Sequence, residues 1–219
     1  MSRTSRPRVV QVLADRDALR DFGPLAERAV SVDAESMIRF RASEARAGAA
    51  GVGGFVRLPY EVLAGRTLAG VLVAGELSDL TVLAREFLRW LDSADEQAPA
   101  RKDAHWLTPL PPRVGWQRVE VVPDSAIRGV VRAGALLARD TSSRSGQQAL
   151  LDAIVLTVQS DDQQIEVPLG PLSALTRMGF LPRDSQAAVD TAPGWIRVAA
   201  PLGSTFISTG KGQLDLLGF

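Results

Sequence analysis

The segment SADEQAPARKDAHWLTPLPPR, residues 93–113, constrains the fold most. It carries four prolines, dense mixed charge and no sustained apolar period. Pro109, Pro111 and Pro112 each fix φ and remove a backbone donor, so no helix runs through them. The segment reads as a proline-rich linker, with an α+β domain before it over residues 1–92 and a second over residues 114–219. His105 and Trp106 fall inside it. A tryptophan in such a place is expected to pack back on a domain.

Both halves mix strand and helix patterns. In the first, Leu13, Leu19, Phe22, Leu25 and Ala29 form a rough helical stripe, and Pro24 is placed to open the second of two short helices. MIRFRAS sets Ile38 and Phe40 on one strand face and Arg39 and Arg41 on the other. FVRLP reads as a strand and YEVLAGR as a short helix after Pro59. TLAGVLVAG fits a buried strand or a helix equally. SDLTVLAREFLRWLDS reads as the strongest helix, capped at Ser78. Its apolar face holds Leu80, Leu83, Ala84, Phe87, Leu88 and Leu91, with Trp90 at the edge.

In the second half, WQRVEVVP predicts a strand ending at Pro123, followed by a helix capped by Asp124 or Ser125 and running to Asp140. Ile154 to Gln159 should pair with Ile165 to Val167. PLSALTRMGF predicts a helix opened by Pro171 and closed near Gly179. WIRVAAPLGSTFIST predicts a hairpin turning at Pro201 to Ser204. The class is therefore α+β: two small halves, each an antiparallel sheet packed by helices. A strand–proline–helix form recurs in FVRLPYEVLAGR, RVEVVPDSAIRGVVR and IEVPLGPLSALTR, as a weak internal duplication would leave it.

The run AGAAGVGGFVRLP places Gly48, Gly51, Gly53 and Gly54 close together and raises the question of a phosphate loop. A dinucleotide fingerprint needs G-x-G-x-x-G opening a helix, and here the sixth position is Val56 with strand-like residues after it. The run reads instead as a hairpin tip between MIRFRAS and FVRLP. GSTFISTGKGQ fails as a Walker loop, with six residues before the Gly-Lys pair and Gly212 where Ser or Thr is required. Ser208 and Lys211 match S-x-x-K without its companion motifs.

Composition narrows the function. The chain has no cysteine, so thiolate chemistry and disulfides are excluded, and His105 is its one histidine, a poor basis for zinc. Asp161 and Asp162 fall in an expected turn, and no carboxylate pair comes with a third group at useful spacing. No catalytic residue, metal site or cofactor is assigned. Basic and acidic residues balance at 25 each, giving no long-range field toward nucleic acid. The amino terminus lacks an apolar signal core, and no apolar run nears the roughly 20 residues that span a bilayer, so the expectation is a cytoplasmic protein with no membrane partner.

One basic stripe stands out. Arg128, Arg132 and Arg139 fall within 40° of one another on the helical wheel of the second-half helix, opposite Ile127, Val130, Val131, Leu137 and Ala138, and Arg144 follows. These four arginines are the candidate binding residues. The leading reading is a non-catalytic binding or regulatory module that binds a protein partner or itself. The second is a DNA- or RNA-binding protein using the stripe and the arm Arg3, Arg6 and Arg8. The third is an enzyme acting on a phosphorylated or acidic metabolite. A helix-turn-helix reader fits less well, because PLSALTRMGF carries a single cation, Arg177.

Overall fold

A computed structural model of the chain describes residues 16–44, 50–69, 79–93, 97–139, 143–160 and 163–210. Leu13, Gly48, Ser78, Asp140, Asp161, Asp162 and the arm Arg3, Arg6 and Arg8 lie outside these. The structure is α+β, with antiparallel sheets packed by helices, and it divides into two units. One comprises Met1–Gly54 and Thr67–Leu107, the other Phe55–Arg66 and Thr108–Phe219.

The first unit opens with α1 (Arg16–Leu19), a 3-10 turn (Arg20–Phe22) and α2 (Gly23–Val32), which carries Pro24 in its first turn. Then come β1 (Met37–Glu44), the start of β2 (Ala50–Arg57), the end of β3 (Leu63–Ala69), β4 (Leu80–Leu83) and α3 (Ala84–Asp92). Strand order is β4-β1-β2. Ile38 faces Val82 and Phe40 faces Leu80 across the β1–β4 ladder. Ile38 and Phe40 are fully buried, as their shared strand face requires. Phe22 meets Phe40 edge-on at 5.3 Å, and Phe40 meets Phe87 at 5.1 Å, so one aromatic chain ties β1 to α3.

Two sequence expectations change here. Leu80–Leu83 is a strand, and the helix expected from Ser78 begins only at Ala84. The residues LTVL sit in phase with the apolar stripe of α3, but Thr81 and Val82 are β-branched and find the free edge of β1. Three of the four glycines are also not at a hairpin tip. Gly51, Gly53 and Gly54 lie within β2 and are buried. A Cβ on Gly54 would stand 2.7 Å from Cδ1 and Cε1 of Phe22. Glycine here lets the strand approach the aromatic cluster closely.

Residues 101–106 pack on this unit. Lys102 N–H donates to Thr81 O at 2.7 Å, and Asp103 Oδ1 accepts from Thr81 N–H at 2.7 Å. Both backbone groups of Thr81 on the β4 edge are thereby occupied, which blocks that edge against foreign strands. Trp106 is buried beneath the Arg39 guanidinium, 5.9 Å from its ring centroid.

The second unit contains the Phe55–Arg57 end of β2 and the Leu63–Arg66 start of β3, joined by a turn with Tyr60 and Glu61 at φ 63° and 60°. Leu58 N–H donates to Val62 O at 2.8 Å across it. The helix expected from YEVLAGR is thus replaced by a hairpin, because the turn carries Leu63 directly into a ladder with Phe206. After β5 (Gln117–Pro123) and α4 (Asp124–Ala138) follow α5 (Arg144–Asp152), β6 (Ile154–Ser160), β7 (Gln163–Pro168), α6 (Leu169–Arg177), β8 (Gln186–Ala192), β9 (Trp195–Ala200) and β10 (Gly203–Ser208). The sheet runs β3-β10-β9-β8-β5, with β6-β7 as a separate two-stranded ribbon.

Helix α6 is the core element. Leu169, Leu172, Leu175 and Met178 are essentially unexposed. Gly179, at φ 64°, lets the chain leave the helix. Helix α4 crosses α6 where Gly134 meets Leu169, so closely that a Cβ on Gly134 would overlap Leu169 Cδ2. The apolar side expected for α4 is only partly used: Ile127 is buried, while Leu137 is 62% exposed, as is Leu136 outside that side at 54%. Contact through a glycine brings the two backbones together, and residues 135–137 at the end of α4 stay exposed. No side chain caps α4; Pro123 occupies the N-cap, and Asp124 N–H bonds to Ser185 O.

Gly54→Ala should destabilise the protein by about 1–3 kcal/mol, since a rigid buried ring must move to admit the methyl group. Urea denaturation followed by tryptophan fluorescence checks this, the expected result being a lower midpoint at unchanged slope.

Candidate functional site

Three strands of the second unit carry a polar row. Arg118 on β5 faces Asp190 on β8, and Asp190 faces Arg197 on β9. Asp190 is 2% exposed. Its Oδ1 accepts from Arg118 Nε at 3.3 Å, and its Oδ2 accepts from Arg197 Nε at 2.9 Å. Arg197 also stacks over Trp116, 4.4 Å from the ring centroid, and Trp116 packs on Phe206 at 5.9 Å. A buried carboxylate is tolerated only when paired in this way, so the row locks the register of β5, β8 and β9.

That register builds a cleft. The β5–β8 ladder ends at Pro123 opposite Gln186, so α4 starts beside the turn that leads into β8. The cleft between them has a volume of about 640 Å³ and is lined by Asp124, Ser125, Arg128, Arg132, Arg183 and Asp184 among others. Arg128 is half-buried and fastened: Nε donates to Asp124 Oδ2 at 3.1 Å, and Nη2 donates to Leu181 O at 2.5 Å. Asp184 holds the turn at φ 59°, and Ser185 Oγ donates to Pro182 O at 2.7 Å.

Of the four arginines expected to bind, the cleft takes in Arg128 and Arg132. Arg139 follows the last residue of α4, and Arg144 opens α5; neither lines it. Arg128 stabilises the fold through its own bonds, whereas Arg132 is exposed. The cleft adds Arg183, which sequence reasoning missed because it lies in a turn far along the chain from α4. The strand–proline–helix pattern around Pro123 was the available signal for one wall, and nothing local marked the other. Among the described residues, no group of three or more His, Asp or Glu side chains is placed to hold a metal ion. No helix among them is long and apolar enough to cross a membrane.

Two family models match the chain. Residues 8–108 match a domain of unknown function (DUF8010), and residues 111–212 match a second domain of unknown function (DUF8185). No curated protein matches it in sequence. Solved structures of similar fold include the DNA polymerase III subunit beta from Pseudomonas aeruginosa, with a TM-score of 0.57 at 13% identity over 90% of this chain and 64% of that one. The two-domain fold resembles that of a sliding clamp. The DNA polymerase sliding clamp from Bacillus subtilis gives 0.55 at 12% identity, over 88% of this chain and 62% of that one. A Helicobacter pylori beta clamp bound to a DNA ligase peptide gives 0.50 at 10% identity, over 87% and 65%. The chain thus spans less than two thirds of the length of these clamps. At such identities the likeness concerns the fold.

Asp190→Ala should cost about 3 kcal/mol, the loss expected when one partner of a buried ion pair is removed. Urea denaturation measures that loss. Amide exchange should quicken at Asp124, whose bond to Ser185 depends on the β5–β8 register.

Proposed function

We propose that this chain is a clamp-like, non-catalytic module that self-associates, binds protein partners and binds nucleic acid. The likeness of its fold to sliding clamps, over 90% and 88% of this chain for the two bacterial proteins, carries the reading. The Helicobacter clamp was solved with a peptide of another protein bound, which supports protein binding as a use of this fold. Exposed Leu136 and Leu137 on α4, with exposed Val121 and Ile154 in the same unit, supply apolar surface for a protein contact. Arg132 and Arg139 on and beside α4, with Arg144 at the start of α5, supply positive charge for phosphates. The same reading places the protein in the cytoplasm, with no membrane partner.

Analytical ultracentrifugation should give a mass at least twice that of one chain. Leu136→Glu combined with Leu137→Glu should shift the population toward monomer with the fold retained by circular dichroism. Fluorescence anisotropy with a duplex of about 30 base pairs should show binding that weakens steeply with salt. A monomer at every concentration, with no duplex bound at low salt, contradicts the proposal.

A further inference from the structure

We propose that the cleft between α4 and the turn at residues 182–185 is a seat for a phosphate group, gripped by Arg132 and Arg183. The inference deepens the nucleic-acid reading above and rests on it for the source of the phosphate.

The charges facing the cleft define what enters it. Arg128, Arg132 and Arg183 contribute three guanidinium groups, against the carboxylates of Asp124 and Asp184. Asp124 is engaged by Arg128, so that pair cancels. Arg132 and Arg183 make no ion pair among the described residues, and both are exposed at the cleft wall. Two unengaged guanidinium groups against one carboxylate leave the seat positive. Each presents a planar fork of donors that matches the oxygens of a tetrahedral anion. The Ser125 hydroxyl adds a donor on the α4 wall.

Preorganisation distinguishes this seat from a loose basic surface. Arg132 sits one helical turn beyond Arg128, whose bonds to Asp124 and Leu181 hold that part of α4 in place. Arg183 sits in a turn closed by the left-handed Asp184 and by the Ser185–Pro182 hydrogen bond. The backbones carrying both arginines are therefore fixed before a ligand arrives, which lowers the entropy lost on binding. A phosphate of this kind comes from a nucleic-acid backbone or from a free phosphorylated molecule, and the chemistry of the seat serves both.

The test uses the full chain, the double variant Arg132→Gln with Arg183→Gln, and Arg113→Gln as a single-charge control outside the cleft. Each is titrated with inorganic pyrophosphate by calorimetry and with a labelled duplex by anisotropy across a salt series. The double variant should lose about tenfold or more in affinity for each ligand, and its salt slope on duplex should be shallower by about two. Arg113→Gln should change either affinity by less than about twofold. If the protein binds pyrophosphate, loses it in the double variant and ignores duplex, the seat stands and the nucleic-acid reading fails. If pyrophosphate and duplex both bind the double variant as they bind the parent, the seat is overturned while the nucleic-acid reading survives. If neither ligand binds the parent chain, both are overturned.

Discussion

The buried carboxylate of Asp190 is the interaction on which the second unit depends. A charge at 2% exposure cannot be left alone, and here two arginines from neighbouring strands satisfy it. Because Arg118, Asp190 and Arg197 are cross-strand partners, slipping any of the three strands by one residue would turn a partner to the opposite face. Past a register shift between Arg118 and Glu120, the β5–β8 ladder runs on to Pro123 and Gln186, and beyond them to the bond from Asp124 to Ser185. The cleft wall on α4 and the turn bearing Arg183 are brought together by that ladder.

Two further contacts hold α4 where the ladder delivers it. Gly134 on Leu169 sets its approach to α6, and Arg128 ties its first turns to Leu181. Both leave much of the helix in solvent. Helices that bury a broad apolar stripe spend their surface on the core, whereas α4 leaves Leu136, Leu137 and Arg132 exposed. In the first unit Lys102 and Asp103 do the opposite, occupying the edge of β4 so that it stays closed.

Much of this was legible in the chain. The alternation in MIRFRAS marked β1, WIRVAAPLGSTFIST marked β9 and β10, and IVLTVQ with IEV marked the β6–β7 hairpin. PLSALTRMGF marked α6 to within two residues of its start. What stayed hidden needed tertiary knowledge. LTVL was in phase with a helix stripe and became a strand only because β1 offered an edge. The glycines of β2 resembled a loop because the reason for them, the Phe22 ring, lies on another element. Helix α5 and strand β8 carried no stripe that sequence reasoning picked out, and with β8 went Asp190 and the cleft. For the site, Arg132 was visible on a helical wheel, Arg128 proved committed to the fold, and Arg183 had no local signature.

The proposed phosphate seat joins the wall of α4 to the neighbouring turn. Hydrogen exchange read by mass spectrometry, with and without saturating duplex at low salt, tests it most directly. The predicted result is slowed exchange in peptides covering residues 124–135 and 182–185, with β9 and β10 unchanged. Slowing confined to β9 and β10, or none anywhere, would contradict it.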